Sequence, residues 1–205
     1  VMGANAKKGQ TYWNYSASRE MGGAQGFQAG STFKAFTAAA ALENDIPLSK
    51  RYNARASMDF SGKEFDSCDG TTRVVGKFPV KNSTGVNGSM DMVRAAEFSV
   101  NTYFVQLALD VGMCDVTKMA TKLGVESNTP DAPISSYDDK PSFTLGTAEV
   151  SPLSVANAYA TFASGGIHCN PVIVTKITDG SGKDRDVPGA DCKRVIDSGV
   201  AAAVD

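Results

Sequence analysis

The sequence predicts an α/β fold in the α+β sense: an antiparallel sheet flanked by helices, with an inserted helical subdomain. Three observations predict it. Helical runs, the first rich in alanine, fill the middle of the chain from residue 31 to residue 163. Strand-like segments sit near both ends, so the sheet must be assembled from distant parts of the chain. The 205 residues, of ordinary apolar content, suffice for one sizeable core with a smaller lobe. Residues 1–205 therefore read as a single unit, with the helical subdomain at roughly 45–165.

The elements follow in order. Val1-Met2-Gly3-Ala4 reads as the end of a strand, and a polar, glycine-rich loop with an aromatic cluster at Tyr12-Trp13-Asn14-Tyr15 continues it. "STFKAFTAAAALEN", 31–44, is a strong helix: alanine has the highest helix propensity, and Phe33, Phe36 and Ala40 fall at helical spacing. Residues 45–88, with scattered Gly, Pro, Asn and Ser, read mostly as loop. Ser89 is the expected N-cap of a second helix, with Met90 and Val93 turned to the core on the face that carries Glu97. "SVN" at 99–101 interrupts the pattern, which resumes and stops at Gly112. Asp115 is the expected cap of a third helix, closed by Gly124, and 125–143 is again loop. Ser151-Pro152 gives an N-cap with proline at the first helical position, and that helix ends at Gly165-Gly166. "PVIVTKI", 171–177, is rich in β-branched residues and predicts a strand. "DGSGK" turns it, and a second strand is expected as far as Val187. "DSGVAAAVD" opens a helix that has barely begun, and both ends read as cut from a longer protein.

Composition excludes several functions. The formal charge is −2 with no basic block, which argues against a nucleic-acid partner. No stretch approaches the ~18 apolar residues of a membrane span. The four cysteines, Cys68, Cys114, Cys169 and Cys192, lack C-x-x-C spacing, and His168 is the one histidine. Zinc sites cluster three or four ligands at short spacings, so neither a metal nor any other cofactor is expected. A single histidine, read as a surface residue, also argues against a Ser-His-Asp triad. The cysteines suit either buried thiols or two disulfides in an oxidising compartment. The turn at 179–183 sends the chain back and brings Cys192 near the start of the strand that follows Cys169, within the Cα separation a disulfide requires. Cys68 and Cys114 are left as the second pair.

Two short motifs carry the chemistry. Ser31 and Lys34 sit three apart at the head of the alanine-rich helix, after Gly30. Residues i and i+3 share a helix face, their Cβ atoms ~5–6 Å apart, so a lysine amine can reach the hydroxyl. A serine needs a base to attack a carbonyl, and a desolvated lysine supplies one. The helix start adds free N–H groups for a developing oxyanion. Ser99 and Asn101 form the second motif: a hydroxyl that can relay a proton, and an amide that can hold a substrate amide through donor and acceptor. With 19 serines, 13 lysines and 10 asparagines in 205 residues, about one S-x-x-K and about one S-x-N arise by chance. Neither motif decides anything alone. Their order and their placement, one at a helix start and one at a break between helices, carry more weight.

"GSTFKAFTAAAALE" resembles the nucleophile segment of class A penicillin-binding proteins, the bifunctional cell-wall synthases. "VRAAEFSVNTYFVQLALDVG" is similar to their second-motif segment, and "TLGTAEVSPLSVANAYATFASGGIHCNP" to a long stretch between their second and third motifs. The resemblance covers roughly residues 26–180. It implies a transpeptidase domain of the serine β-lactamase/penicillin-binding-protein fold. It also implies Ser31 as nucleophile, Lys34 as base, Ser99 as proton relay and Asn101 as substrate contact. The implied ligands are D-Ala-D-Ala stem peptides of peptidoglycan and β-lactams, and the implied place is the outer face of the bacterial plasma membrane, with the anchor outside this chain.

The sequence departs from the family pattern in two ways. Ala29 and Ala35 stand where proline is expected, which bears on loop stiffness. No K-T-G or K-S-G occurs among the 205 residues. The resemblance would put that strand after the helix at Ser198, so a second chain carrying it is expected, and this chain alone is expected to be inactive. Two other readings share the motifs: a D,D-carboxypeptidase or β-lactamase, and a non-enzymatic β-lactam sensor. The E-x-x-x-N arrangement that activates water in class A β-lactamases is missing after Ser99, which disfavours the lactamase.

Overall fold

A computed structural model describes residues 3–205. Residues 1 and 2, half of the first expected strand, lie outside the described residues. Gly3 and Ala4 form a bend rather than a strand.

One helix organises everything else. A 3-10 turn, Gly30–Phe33, runs directly into α1, Lys34–Glu43. Phe36, Ala39, Ala40 and Ala41 have almost no exposure, and Lys34, Thr37 and Ala38 are buried with them. A helix buried on every side is the central strut of its domain. Alanine suits that place because small side chains let neighbouring helices approach closely. On one side Phe33, Phe36, Ala39 and Ala40 join a core with Val116, Met119, Phe143 and Phe162. On the other, Ala38 and Ala41 meet Met90, Met92, Ala95, Tyr103, Phe104 and Leu107. Apart from Met90 and Phe143, these partners come from α2 (Met92–Glu97), α3 (Asn101–Val111), α4 (Met113–Lys122) and α5 (Pro152–Ala163). A last helix, α6 (Ser198–Val204), also packs on α1. Among the described residues no helix is long and apolar enough to cross a membrane.

The strands are short and antiparallel, and each pairs with one partner. β1 (Phe27–Gln28) pairs with β8 (Glu149–Val150), which joins the approach to α1 to the approach to α5. Residues 45–88, expected mostly as loop, instead hold six strands, the last of which runs on to Met90. They are β2 (Tyr52–Ala54), β3 (Ser57–Asp59), β4 (Glu64–Ser67), β5 (Gly70–Arg73), β6 (Pro79–Lys81) and β7 (Gly88–Met90). They nest as β2–β7, β3–β6 and β4–β5, a single long hairpin. Three of these strands have a single side chain buried or half-buried and the other three have two, so each run is too short for hydrophobic alternation to reveal it.

Several helix boundaries move as well. Asp91, not Ser89, caps α2 by accepting a hydrogen bond from the Arg94 N–H at 3.0 Å, while Ser89 lies in β7. The later start rotates the apolar face to Met92 and Ala95 and leaves Val93 58% exposed. α4 starts directly at Met113 after Gly112, so Asp115 falls inside its first turn rather than at its cap. Ser151 does cap α5, accepting from the Ser154 N–H at 3.1 Å.

The C-terminal hairpin differs most. The chain reverses at 179–183, but only β10 (Ile177–Thr178) and β11 (Asp184–Arg185) pair there. Val172, Ile173 and Val174 are outside any strand and exposed. β-branched residues favour a strand only where a neighbour exists to pack against, and these have none among the described residues. Beside the cysteines the chain is held instead by β9 (Ile167–His168) pairing with β12 (Lys193–Arg194). His168 is half-buried rather than a surface residue, with Nδ1 3.2 Å from the Thr161 hydroxyl.

Two disulfides staple these parts. Cys169–Cys192 closes the β9–β12 hairpin, with a sequence separation of 23. Cys68–Cys114 ties the β4–β5 tip to the first turn of α4, with a separation of 46. Removing the longer loop closure by Cys68→Ala with Cys114→Ala is expected to cost about 4 kcal/mol on the chain-entropy account. Urea unfolding of the full-length protein measures it, and an unchanged midpoint would show that the bridge does not constrain the unfolded chain.

Candidate active site

Lys34 is the hinge of the site. It is 4% exposed, and its Nζ donates three hydrogen bonds: to the Ser99 carbonyl at 2.6 Å, to Ser99 Oγ at 2.9 Å and to Asn101 Oδ1 at 2.6 Å. The Phe104 ring lies 5.6 Å from Nζ and closes one side. All of these partners are uncharged. Burial pulls the lysine pKa down from its ordinary 10.5 to about 8. A base of that strength is neutral in a useful fraction of molecules near physiological pH.

Ser99 reaches Lys34 with two atoms because its backbone is in the left-handed region, φ 51°. That conformation costs a non-glycine residue roughly 1–2 kcal/mol. Here it turns the carbonyl and the hydroxyl of one residue onto the same ammonium. The strain sits where the S-V-N break ends α2 and starts α3, with Val100 as the N-cap.

Ser31 lies on the exposed face of the 3-10 turn, one turn before Lys34. It shares with Lys34, Ser99, Met92, Phe104 and Tyr159 the wall of a cleft of about 380 Å³. Among the described residues no hydrogen bond joins Ser31 to Lys34, because all three ammonium protons go to Ser99 and Asn101. A neutral Lys34 releases one of those bonds and gains the lone pair that can accept from Ser31. The Gly30 N–H donates to the Gly146 carbonyl at 3.2 Å, so it is not free to bind an oxyanion. A larger cavity, about 770 Å³, lies between Arg19 and Ile134 and holds none of these four residues.

Asn101 is more committed than expected of a substrate contact. Its Oδ1 accepts from Lys34, and its Nδ2 donates to the Lys81 carbonyl at 2.9 Å. One amide N–H and one lone pair remain for a ligand. The four cysteines line none of this cleft.

Several supporting residues escape a reading of the sequence. Gly146, at φ 73°, ends the 3-10 helix Pro141–Leu145, and a Cβ there would run into the Gly30 backbone. Thr37 and Thr144 share a buried hydrogen bond of 2.7 Å between α1 and the same 3-10 helix. The Tyr159 hydroxyl donates to the Thr32 carbonyl at 2.8 Å, tying α5 to the turn that carries Ser31. No local pattern marks these residues, because each acts on a partner more than 100 residues away. Gly146→Ala is expected to push the turn aside and to slow acylation of Ser31 by on the order of 100-fold, the effect of a ~1 Å misplacement. Stopped-flow acylation measures it, and a wild-type rate would show that the contact is absorbed elsewhere.

Comparison with known proteins identifies the family and the fold. The family described as the penicillin-binding protein transpeptidase domain matches residues 4–205. Penicillin-binding protein 1A of Neisseria lactamica is 30% identical over 159 residues, covering 77% of this chain and 18% of that protein. Penicillin-binding protein 1A of Aquifex aeolicus is 31% identical over 109 residues, 53% of this chain and 14% of the relative. The chain thus spans about a fifth or less of these relatives. Among solved structures, PonA1 of Mycobacterium tuberculosis in complex with penicillin V superposes with a TM-score of 0.66 at 26% identity, covering 87% of this chain and 46% of that one. The imipenem acyl-enzyme of penicillin-binding protein A from M. tuberculosis gives 0.69 at 23% identity, over 87% and 42%. The fold is that of penicillin-binding transpeptidase domains.

Proposed function

This chain belongs to the penicillin-binding protein transpeptidase domain family, and from that premise we propose that it is the nucleophile-bearing part of a serine D,D-transpeptidase that cross-links peptidoglycan. One observation carries the reading: a buried lysine bonded to both Ser99 and Asn101, in a cleft that Ser31 lines.

The steps follow from the geometry. Neutral Lys34 takes the Ser31 hydroxyl proton as Oγ attacks the carbonyl of a D-Ala-D-Ala amide. The C–O bond forms and the carbonyl π pair moves onto oxygen, giving a tetrahedral oxyanion beside the helix start. As the oxyanion collapses, the C–N bond breaks. The leaving D-alanine amine takes a proton through Ser99 Oγ, which is hydrogen-bonded to Lys34. An ester on Ser31 remains; the amine of a neighbouring stem peptide attacks its carbonyl, the C–O bond to Ser31 breaks, and the amine's proton passes through Lys34 to Ser31 Oγ as the cross-link forms. A β-lactam follows the first half. Its leaving amine stays tethered to the acyl group, so the adduct persists. Asn101 does not line the cleft; its role here is to hold Lys34 in place.

The support for the rest of the site is sequence-based. With no K-T-G or K-S-G in these 205 residues, we assign that strand to polypeptide outside them, where it would supply a cation and a second oxyanion donor. The two disulfides fit an oxidising compartment, so the site is read as lying outside the cytoplasm, on the outer face of the plasma membrane. A chromogenic cephalosporin given to the full-length protein separates the readings. A slow burst of one equivalent, together with transfer of an acyl group to an added amine, supports the transpeptidase. Rapid turnover would identify a hydrolase, and an adduct with no transfer a sensor.

A further inference from the structure

We propose that Asn82 is a positioning residue for this site: its side chain fixes the start of α3, and through it the Ser99–Asn101 turn that holds Lys34. Asn82 is 6% exposed and its side-chain amide is fully used. Oδ1 accepts from the Thr102 N–H at 3.0 Å and, at 3.1 Å, shares the Thr102 hydroxyl proton with the Arg55 carbonyl, which lies at 2.9 Å. Nδ2 donates to the carbonyls of Arg55 at 3.2 Å and Val86 at 3.3 Å. The first N–H groups of a helix have no partner within the helix. Val100, the N-cap of α3, offers no side chain to satisfy them, and Asn82 does so from 20 residues away. Its neighbour completes the clamp, since the Lys81 carbonyl accepts from Asn101 Nδ2. The pair 81–82 therefore grips both residues that follow Val100. Asn82 also anchors itself, with its N–H donating to the Ala56 carbonyl at 2.9 Å. The left-handed Ser99 closes α2 locally, with the Ser99 and Val100 N–H groups donating to the Ala96 and Ala95 carbonyls at 3.0 and 2.9 Å; the turn is held further from α3 on one side and from α1 through Lys34 on the other. No atom of Asn82 touches Lys34 or lines the cleft, so it acts through the turn.

This inference rests on the reading of Lys34 as the base, and the test separates the two. In the full-length protein, the rate of Ser31 acylation by benzylpenicillin is followed against pH for wild type, Asn82→Ala, Asn82→Ser and Asn82→Asp. Aspartate keeps the acceptor for Thr102 and loses both amide donors. Asn82→Ala is expected to lower the rate near neutral pH by about 10- to 100-fold. It also moves the pH midpoint upward, because a loosened turn admits water to Lys34. Asn82→Asp is expected to retain more of the rate than Asn82→Ala, because its carboxylate still accepts from the Thr102 N–H. A folded Asn82→Ala with wild-type rate and midpoint overturns the inference. If Asn82→Ala does not fold, Asn82→Ser decides alone: a slower rate with a raised midpoint supports the clamp on Thr102, and wild-type rate and midpoint overturn it. A wild-type protein that is not acylated at Ser31 at all refutes the reading beneath it instead.

Discussion

Replacing Ser31 by alanine is expected to abolish covalent labelling by β-lactams entirely. The change removes one oxygen from an exposed position at a helix start, so the fold should be untouched. Surface substitutions of this kind move stability by no more than about 0.5 kcal/mol. Labelling should vanish because the other nearby hydroxyl, Ser99 Oγ, is already tied to the Lys34 ammonium and sits deeper in the cleft. Fluorescent penicillin followed by gel imaging of the full-length protein reads the result. Residual labelling of Ser31→Ala at the wild-type rate would move the nucleophile elsewhere.

Lys34→Met is expected to slow acylation by about 10²–10⁴-fold, the range spanned by general-base catalysis. Methionine keeps much of the volume and removes the base. It also leaves the Ser99 carbonyl and Asn101 Oδ1 without their donor, at about 1–3 kcal/mol per buried group, so unfolding curves must accompany the rates. The pH dependence has a definite sign. With Lys34 as the proposed base, acylation of Ser31 needs its neutral form, so the wild-type rate is expected to rise with pH to a midpoint near 8. Stability moves in the same direction. The folded protein holds the Lys34 proton less tightly than the unfolded chain, which has the ordinary value of 10.5. Stability therefore rises between about pH 8 and 10.5, and the rise disappears in Lys34→Met. A stability that fell across that window would mean that a charged partner, not burial, governs this lysine.

The candidate residues were legible because their chemistry is local. Ser31 and Lys34 share one helix face, and alanine density marks α1 without reference to the rest of the fold. The break at 99–101 was visible as a polar interruption between apolar periods. What those patterns could not supply is how Lys34 meets the break. That meeting depends on α1 packing against α3 and on Ser99 adopting a left-handed backbone, neither of which has a signature in "SVN". The hairpin of 45–90 was illegible for a different reason. Its strands are three or four residues long and mostly exposed, so their pairing comes from backbone hydrogen bonds rather than a hydrophobic stripe. Conversely, Val172, Ile173 and Val174 have strand composition without a strand partner. Asn82 lies in "KNSTG", which reads as an ordinary turn until the structure shows what its amide grips.

The central claim is that Ser31, backed by Lys34, is the acylated residue of this domain. Mass spectrometry of the full-length protein after brief exposure to benzylpenicillin, with the adduct mapped to a peptide and then to a residue, tests it most directly. A single penicilloyl adduct on Ser31 is expected, formed faster at pH 8 than at pH 6. An adduct on Ser99 or any other serine, or none on a folded protein, would contradict it.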